Sequence, residues 1–131
     1  MYSAETKIRI AYGDTDRMGY CYYGNYSRFY EVARTELLRS LGKSYRELEE
    51  MGIMMPVISM SSRFIKPAYY DEEITVRAVI TEPPRSRIRF EYEIYNDNNE
   101  LINTGETTLA FIDRDRNRPQ PAPEFLVKLF A

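Results

Sequence analysis

Two carboxylates separated by one residue, Asp14 and Asp16, stand in the stretch Gly13-Asp14-Thr15-Asp16-Arg17-Met18-Gly19. The chain then runs through Tyr22-Tyr23-Gly24-Asn25-Tyr26 into a segment with helical periodicity. A helix start offers unpaired N–H groups and a partial positive charge, which suit an oxyanion or a tetrahedral intermediate. A carboxylate beside it can attack a carbonyl carbon or deprotonate a water. The two together are a minimal kit for hydrolysing an activated acyl group. Asp residues in loops also cap helices and close Asx turns, and Gly13 and Gly19 suit turn geometry, so the pattern alone leaves a structural role open.

The chain contains no histidine. This removes Ser-His-Asp triads, Cys-His dyads, histidine bases and histidine-ligated metals together. Catalysis falls to carboxylate, backbone or tyrosine. With 18 basic and 20 acidic residues the net charge is −2, which gives no overall attraction to nucleic acid or anionic lipid. The single cysteine, Cys21, excludes an intrachain disulfide, and with no histidine available only the helix start could lower its pKa. The first residues lack the apolar run of a leader, and no run approaches the roughly 20 residues of a spanning helix. The expectation is a cytoplasmic protein with no integral membrane association.

At 131 residues, 44% hydrophobic and 29% charged, the chain has the size and composition of one globular domain over 1–131, with 115–131 as a proline-marked tail. Residues 5–12 alternate as a half-buried strand. From Tyr26, the positions Phe29, Tyr30, Ala33, Leu37 and Leu41 follow helical steps and predict one amphipathic helix of about five turns that Gly42 ends. Ser44-Tyr45-Arg46-Glu47 reads as a capping box opening a short second helix. Four β-type segments follow at roughly 54–66, 72–82, 86–96 and 100–112. In the third, Ile88, Phe90, Tyr92 and Ile94 alternate with charged residues. Asn96-Asp97-Asn98-Asn99 marks a hairpin, and FLVKLF suggests a final short helix. The expected fold is α+β, a strand, a long helix and a four-stranded meander, with one sheet covering the helix. Tyr69, Tyr70 and Tyr95 suggest more apolar surface than one layer buries, and hence a homodimer or homotetramer.

The segment Tyr12 to Tyr26, with the form Y-G-D-T-D-x-M-G-x-x-x-Y-x-N-Y, resembles the signature of the hot-dog thioesterases related to 4-hydroxybenzoyl-CoA thioesterase. The likeness continues through FYEVARTELLRSLG, SRFIKPAYYDEEI and LINTGETTLAFID, over roughly residues 5–115. It implies a five-stranded antiparallel sheet wrapped around one long central helix, and hydrolysis of an acyl-CoA or acyl-carrier-protein thioester without a cofactor or metal. It further implies that Asp16 is the catalytic carboxylate, as base or nucleophile, and that the Tyr23 N–H binds the thioester oxygen. Asp14 is then the structural partner, and Asn25 and Tyr26 match the family's N-Y pair, beside Gly19. Many relatives have His near the Tyr23 position and a small residue or Pro after the catalytic Asp, where this chain has Tyr23 and Arg17. The alternative is a module that binds acyl-CoA or acyl-carrier protein without turnover.

Arg85 and Arg87, in Pro83-Pro84-Arg85-Ser86-Arg87, lie where relatives place basic residues against CoA phosphates; a soluble surface turn explains them equally well. Arg63 and Lys66 read as strand-face charges. Tyr20, Tyr22, Tyr23, Tyr26 and Tyr30 could wall an acyl pocket, although core packing suits Tyr26 and Tyr30 better. Met54, Met55 and Met60 could line a plastic acyl channel, although thioether gap-filling in the core suits them better.

Overall fold

A computed structural model describes all of residues 1–131. The elements are β1 (Tyr2–Arg9), α1 (Tyr26–Ser40), α2 (Tyr45–Glu50), β2 (Ile53–Met54), β3 (Val57–Phe64), β4 (Glu73–Ile80), β5 (Arg87–Tyr95), β6 (Leu101–Ala110), β7 (Ile112–Asp113), β8 (Arg118–Pro119) and α3 (Glu124–Leu129). Single 3-10 turns at Tyr12–Asp14 and Tyr23–Asn25 flank the loop before α1. The main sheet is antiparallel with the order β1-β4-β5-β6-β3, and β2, β7 and β8 form a small second sheet.

The helical spacing is realised in α1, whose buried face carries Tyr26, Phe29, Tyr30, Ala33, Leu37 and Leu38. The helix has 15 residues, about four turns rather than five. Gly42 ends it at φ 114°, a conformation that costs a side-chain-bearing residue more than glycine. Ser44 accepts from the Glu47 N–H at 3.1 Å and Glu47 reaches back to the Ser44 N–H at 3.2 Å, the expected capping box. Asn96 closes the β5–β6 hairpin by accepting from the N–H groups of Asn98 and Glu100, with Asn99 at φ 60°.

The structure corrects four expectations. β1 runs from Tyr2 to Arg9, because Ile10 leaves the strand to bond Glu72 and Asp71 of a facing loop. The segment expected at 54–66 is split at Pro56, whose missing N–H separates β2 from β3. The meander has three strands, β4-β5-β6, because β3 pairs with β6 at the far edge and not with β4. The outer sheet face is charged, with Arg77 paired to Glu93 and Arg89 to Glu91 and Glu106, so the apolar surface in excess of one layer lies elsewhere. It lies along the β3 edge, where Val57, Ile58, Met60 and Phe64 are exposed, and at Tyr69 and Tyr70. Met54 and Met60 are therefore surface residues rather than core fillers, while Met55 packs against the core.

The tail adds to the core: Leu126 of α3 is buried, and Tyr2 donates to the Leu129 carbonyl while meeting the Phe130 ring edge-on at 5.1 Å. No helix is long and apolar enough to cross a membrane.

One buried polar contact sets the distance between α1 and the sheet. The Tyr30 ring stacks on Tyr92 at 4.3 Å, and its hydroxyl bonds Asn103 and, at 2.7 Å, Ser62. The sheet makes room for it at Gly105, where a Cβ would overlap the Tyr30 ring and hydroxyl. Gly105→Ala is therefore expected to lower stability by about 1–3 kcal/mol, the usual cost of overpacking a core, as measured by urea unfolding.

Candidate active site

The loop from Ala11 to Asn25 is held by Asp14. Its carboxylate accepts from the Ala11 N–H at 2.9 Å and pairs with Arg28 of α1 at 2.6 Å. Its carbonyl accepts from the Tyr22 N–H and from the Asn25 side-chain amide, both at 2.8 Å. Asp14 and Asn25 thus join the start of the loop to the start of the helix. The Cys21 N–H donates to the Ala68 carbonyl at 2.7 Å, which fixes the loop to the segment after β3.

Within this frame Asp16 opens a tight turn. One carboxylate oxygen accepts from the Met18 N–H at 2.9 Å, and the Asp16 carbonyl accepts from Gly19, which adopts φ 88°. The Asp16 N–H donates to the Tyr20 carbonyl at 3.1 Å. The side chain is thereby aimed into a cleft of about 560 Å³ that it shares with Tyr20, Cys21, Tyr22, Tyr23, Tyr26 and Phe64. Across the cleft, the turn Tyr23–Asn25 precedes α1, and neither the Tyr23 nor the Gly24 N–H has an acceptor within the chain. At Gly24 a Cβ would meet the outer edge of the half-exposed Tyr22 ring, which would have to shift to admit a side chain. A carboxylate and Tyr23, whose N–H is unpaired, therefore border one largely apolar cavity, with the unpaired Gly24 N–H next in the chain, an arrangement that suits attack on a polarised carbonyl.

The residues singled out from the sequence divide into three groups. Asp16, Tyr23 and Tyr26 line the cleft; Asp14, Gly19 and Asn25 shape the loop without lining it. Arg85 and Arg87 border a separate cleft with Glu82, Pro83 and Ser86, at the far end of β5. Strand registers put Phe64 beside Asn103 and Asn103 beside Ile94, so the cleft lies at the Ile94 end, roughly 20 Å along the strand from Arg87. Arg17 is exposed and makes no ion pair. Burial pushes the Cys21 thiol up to about 11, so it is not a thiolate nucleophile at neutral pH. Sequence reasoning did not find Phe64, Ile65 and Pro67 as cleft walls, nor Gly24 as a donor; the apolar end of SRFIKP was their only trace. Lys66, read as a strand-face charge, lines the cleft and pairs with Glu100. No group of His, Cys, Asp and Glu side chains is placed to hold a metal ion.

Residues 10–130 match the thioesterase-like superfamily. The chain belongs to that family. It is 31% identical over 123 residues to the acyl-CoA thioester hydrolase YbgC of Escherichia coli, covering 94% of this chain and 92% of that one. It superposes on the DHNA-CoA thioesterase of Staphylococcus aureus with a TM-score of 0.89 at 36% identity, over 92% of this chain and 81% of the other. A mutant 4-hydroxybenzoyl-CoA thioesterase bound to 4-hydroxybenzoyl-CoA superposes with a TM-score of 0.89 at 24% identity, over the full length of both chains, and shows the shared fold. The five-stranded sheet around α1 is the hot-dog fold of this family, as the motif implied.

The anchoring role of Asp14 has a measurable consequence. Asp14→Ala removes the acceptor of the Ala11 N–H and the partner of Arg28, and is expected to cost about 1–2 kcal/mol in a thermal or urea melt. Hydrogen exchange at the Ala11 amide should accelerate with it.

Proposed function

We propose that the chain is an acyl-CoA thioesterase in which Asp16 is the catalytic carboxylate and the N–H groups of Tyr23 and Gly24 bind the thioester oxygen. The observation that carries this reading is that Asp16 and Tyr23, whose N–H has no acceptor within the chain, line one cavity at the start of α1, with the unpaired Gly24 N–H next to Tyr23 in the chain. Membership of the thioesterase-like superfamily and likeness to an acyl-CoA thioester hydrolase supply the reaction class. Asp16 either takes a proton from an attacking water or itself attacks the acyl carbon, with water then cleaving the anhydride formed. In both routes the C–S bond breaks, the water oxygen ends in the carboxylic acid, and a proton ends on the CoA thiol. The thiolate is a stable leaving group, so one carboxylate with oriented donors suffices without histidine. The reaction needs no cofactor beyond the CoA of the substrate.

The β3 edge supports a homodimer. β3 has a neighbour on one side only and exposes Val57, Ile58, Met60 and Phe64, the kind of edge that proteins cover. Two-fold antiparallel pairing of β3 would reverse the strand direction, setting the Val57 end of one copy beside the Phe64 end of the other. The Arg85–Arg87 turn, which lies at the Val57 end, would then approach the other copy's cleft, where it could meet the CoA phosphates.

Thiol release from a panel of short-chain, long-chain and aromatic acyl-CoAs tests the assignment. Asp16→Asn, folded by thermal melting, should lose at least about a hundredfold in kcat/KM. Inactivity of the wild type on every substrate, with acyl-CoA still raising the melting temperature, would identify a binding module instead. In sedimentation, the wild type at micromolar concentration should be a dimer or larger, and Ile58→Glu should shift it toward monomer.

A further inference from the structure

Arg34 is the one charged residue buried in the chain, with 7% of its surface accessible. Its Nε donates to the Tyr45 hydroxyl at 3.0 Å, but the guanidinium pairs with no carboxylate of the chain. The other arginines either have such a partner, as Arg28 has in Asp14, or are exposed to water. A buried charge without a counter-charge costs free energy, because what it loses in hydration is not returned by a partner. Arg34 therefore calls for an anion that the single chain does not supply.

The surroundings of Arg34 say what that anion belongs to. It borders a cavity of about 430 Å³ between α1 and the β3 edge, together with Glu31, Val57, Met60 and Thr107. Glu31 is exposed, stands three residues before Arg34 on the same helix, and has no ion-pair partner either. Arg28, the remaining charge on this cavity, is already bound to Asp14. One free cation and one free anion thus share one opening. A small ion of either sign would be repelled by one of them, whereas a surface carrying the same two charges in reverse order would attract both.

Two-fold pairing of β3 offers that surface. Tyr26 meets Phe64 and Tyr30 bonds Ser62, so α1 runs beside β3 in the opposite direction. Setting Val57 opposite Phe64 puts the symmetry axis between Met60 and Ser61, about 5 Å along the strand from Ser62. On the helix the same distance is about three residues beyond Tyr30, a level bracketed by Glu31 and Arg34. Rotation about the axis reverses the helix and brings Glu31 of each copy to about the level of Arg34 of the other, the reciprocal contact of an isologous interface.

We infer that Arg34 of each copy forms an ion pair with Glu31 of the other, across the cavity beside the β3 edge, and that this pair selects a second copy of the chain as the partner of that edge. This rests on the homodimer reading above and assigns the charges that enforce it. The apolar β3 residues supply contact area, and the two charges supply register and partner choice.

The test co-expresses Arg34→Glu and Glu31→Arg chains, one carrying a mass tag, and counts the dimers by native mass spectrometry. Each variant's own dimer sets like charges against each other, whereas the mixed dimer restores both ion pairs. Mixed dimers should outnumber the two homodimers by about tenfold or more. Tagged and untagged wild type gives the statistical share instead, about half mixed. That same share from the two variants overturns the inference, as does failure of the two folded chains to dimerise together. Should Arg34→Glu fail to fold, the exposed position decides in sedimentation. Glu31→Arg should raise the dimer dissociation constant at least about tenfold and Glu31→Gln by less; an unchanged constant in Glu31→Arg overturns the inference. A wild type that sediments as a monomer overturns the homodimer reading and this inference together, whereas dimers indifferent to these charges overturn this inference alone.

Discussion

Asp14 ties the beginning of a loop to the beginning of a helix, and the geometry of the cleft depends on that tie. Its carboxylate bonds Ala11 and Arg28 while its carbonyl bonds Tyr22 and Asn25, so one residue fixes both ends of the segment that carries Asp16. A charge-assisted bond is stronger than a neutral one, and this carboxylate is mostly shielded from water, with 14% of its side chain exposed. The consequence is a division of labour between two similar carboxylates. Asp14 has both oxygens occupied by the protein, whereas Asp16 spends one oxygen on the Met18 N–H and keeps the other for the cleft.

The orientation of the loop would mean little if α1 could slide against the sheet. Tyr30, one turn below Tyr26, prevents this by stacking on Tyr92 of β5 and bonding Ser62 of β3 and Asn103 of β6. The contact links α1 to the strand that ends in Phe64, and Phe64 in turn meets Tyr26 and Tyr23. Helix, edge strand and cleft wall are thus connected through side chains that touch. Because packed cores resist displacement, the separation between the free N–H groups and the opposite wall is set by this contact and by the absence of a side chain at Gly105.

Local signals made much of this arrangement legible in the sequence. Helical spacing, the Ser44–Glu47 box, Gly42 and the Asn96 turn each act over a few residues, and each is realised. The pairing of β3 was not legible, because register across the sheet depends on which strands meet and not on periodicity within one strand. The consequence of Gly105 was hidden for the same reason, since its neighbour Tyr30 is distant in sequence. At the site, Asp16 stood out through its motif. Phe64 and Pro67 did not, because a residue becomes a cavity wall only when another segment folds opposite it.

A chain without histidine places an unusual demand on its substrate, and that demand accounts for the class of substrate the proposed site would suit. A carboxylate is a weak base near neutral pH, so it can drive acyl transfer only where the leaving group departs without much protonation and the developing oxyanion is stabilised by fixed dipoles. A thioester satisfies the first condition by its own chemistry. On the proposed reading the second falls to the backbone N–H groups of Tyr23 and Gly24, which no internal acceptor occupies. An oxygen ester would satisfy only the second. Under the proposed roles, one free carboxylate oxygen and free backbone amides suit a thioester on physical grounds, and what remains for the side chains of the cleft is to choose among acyl groups.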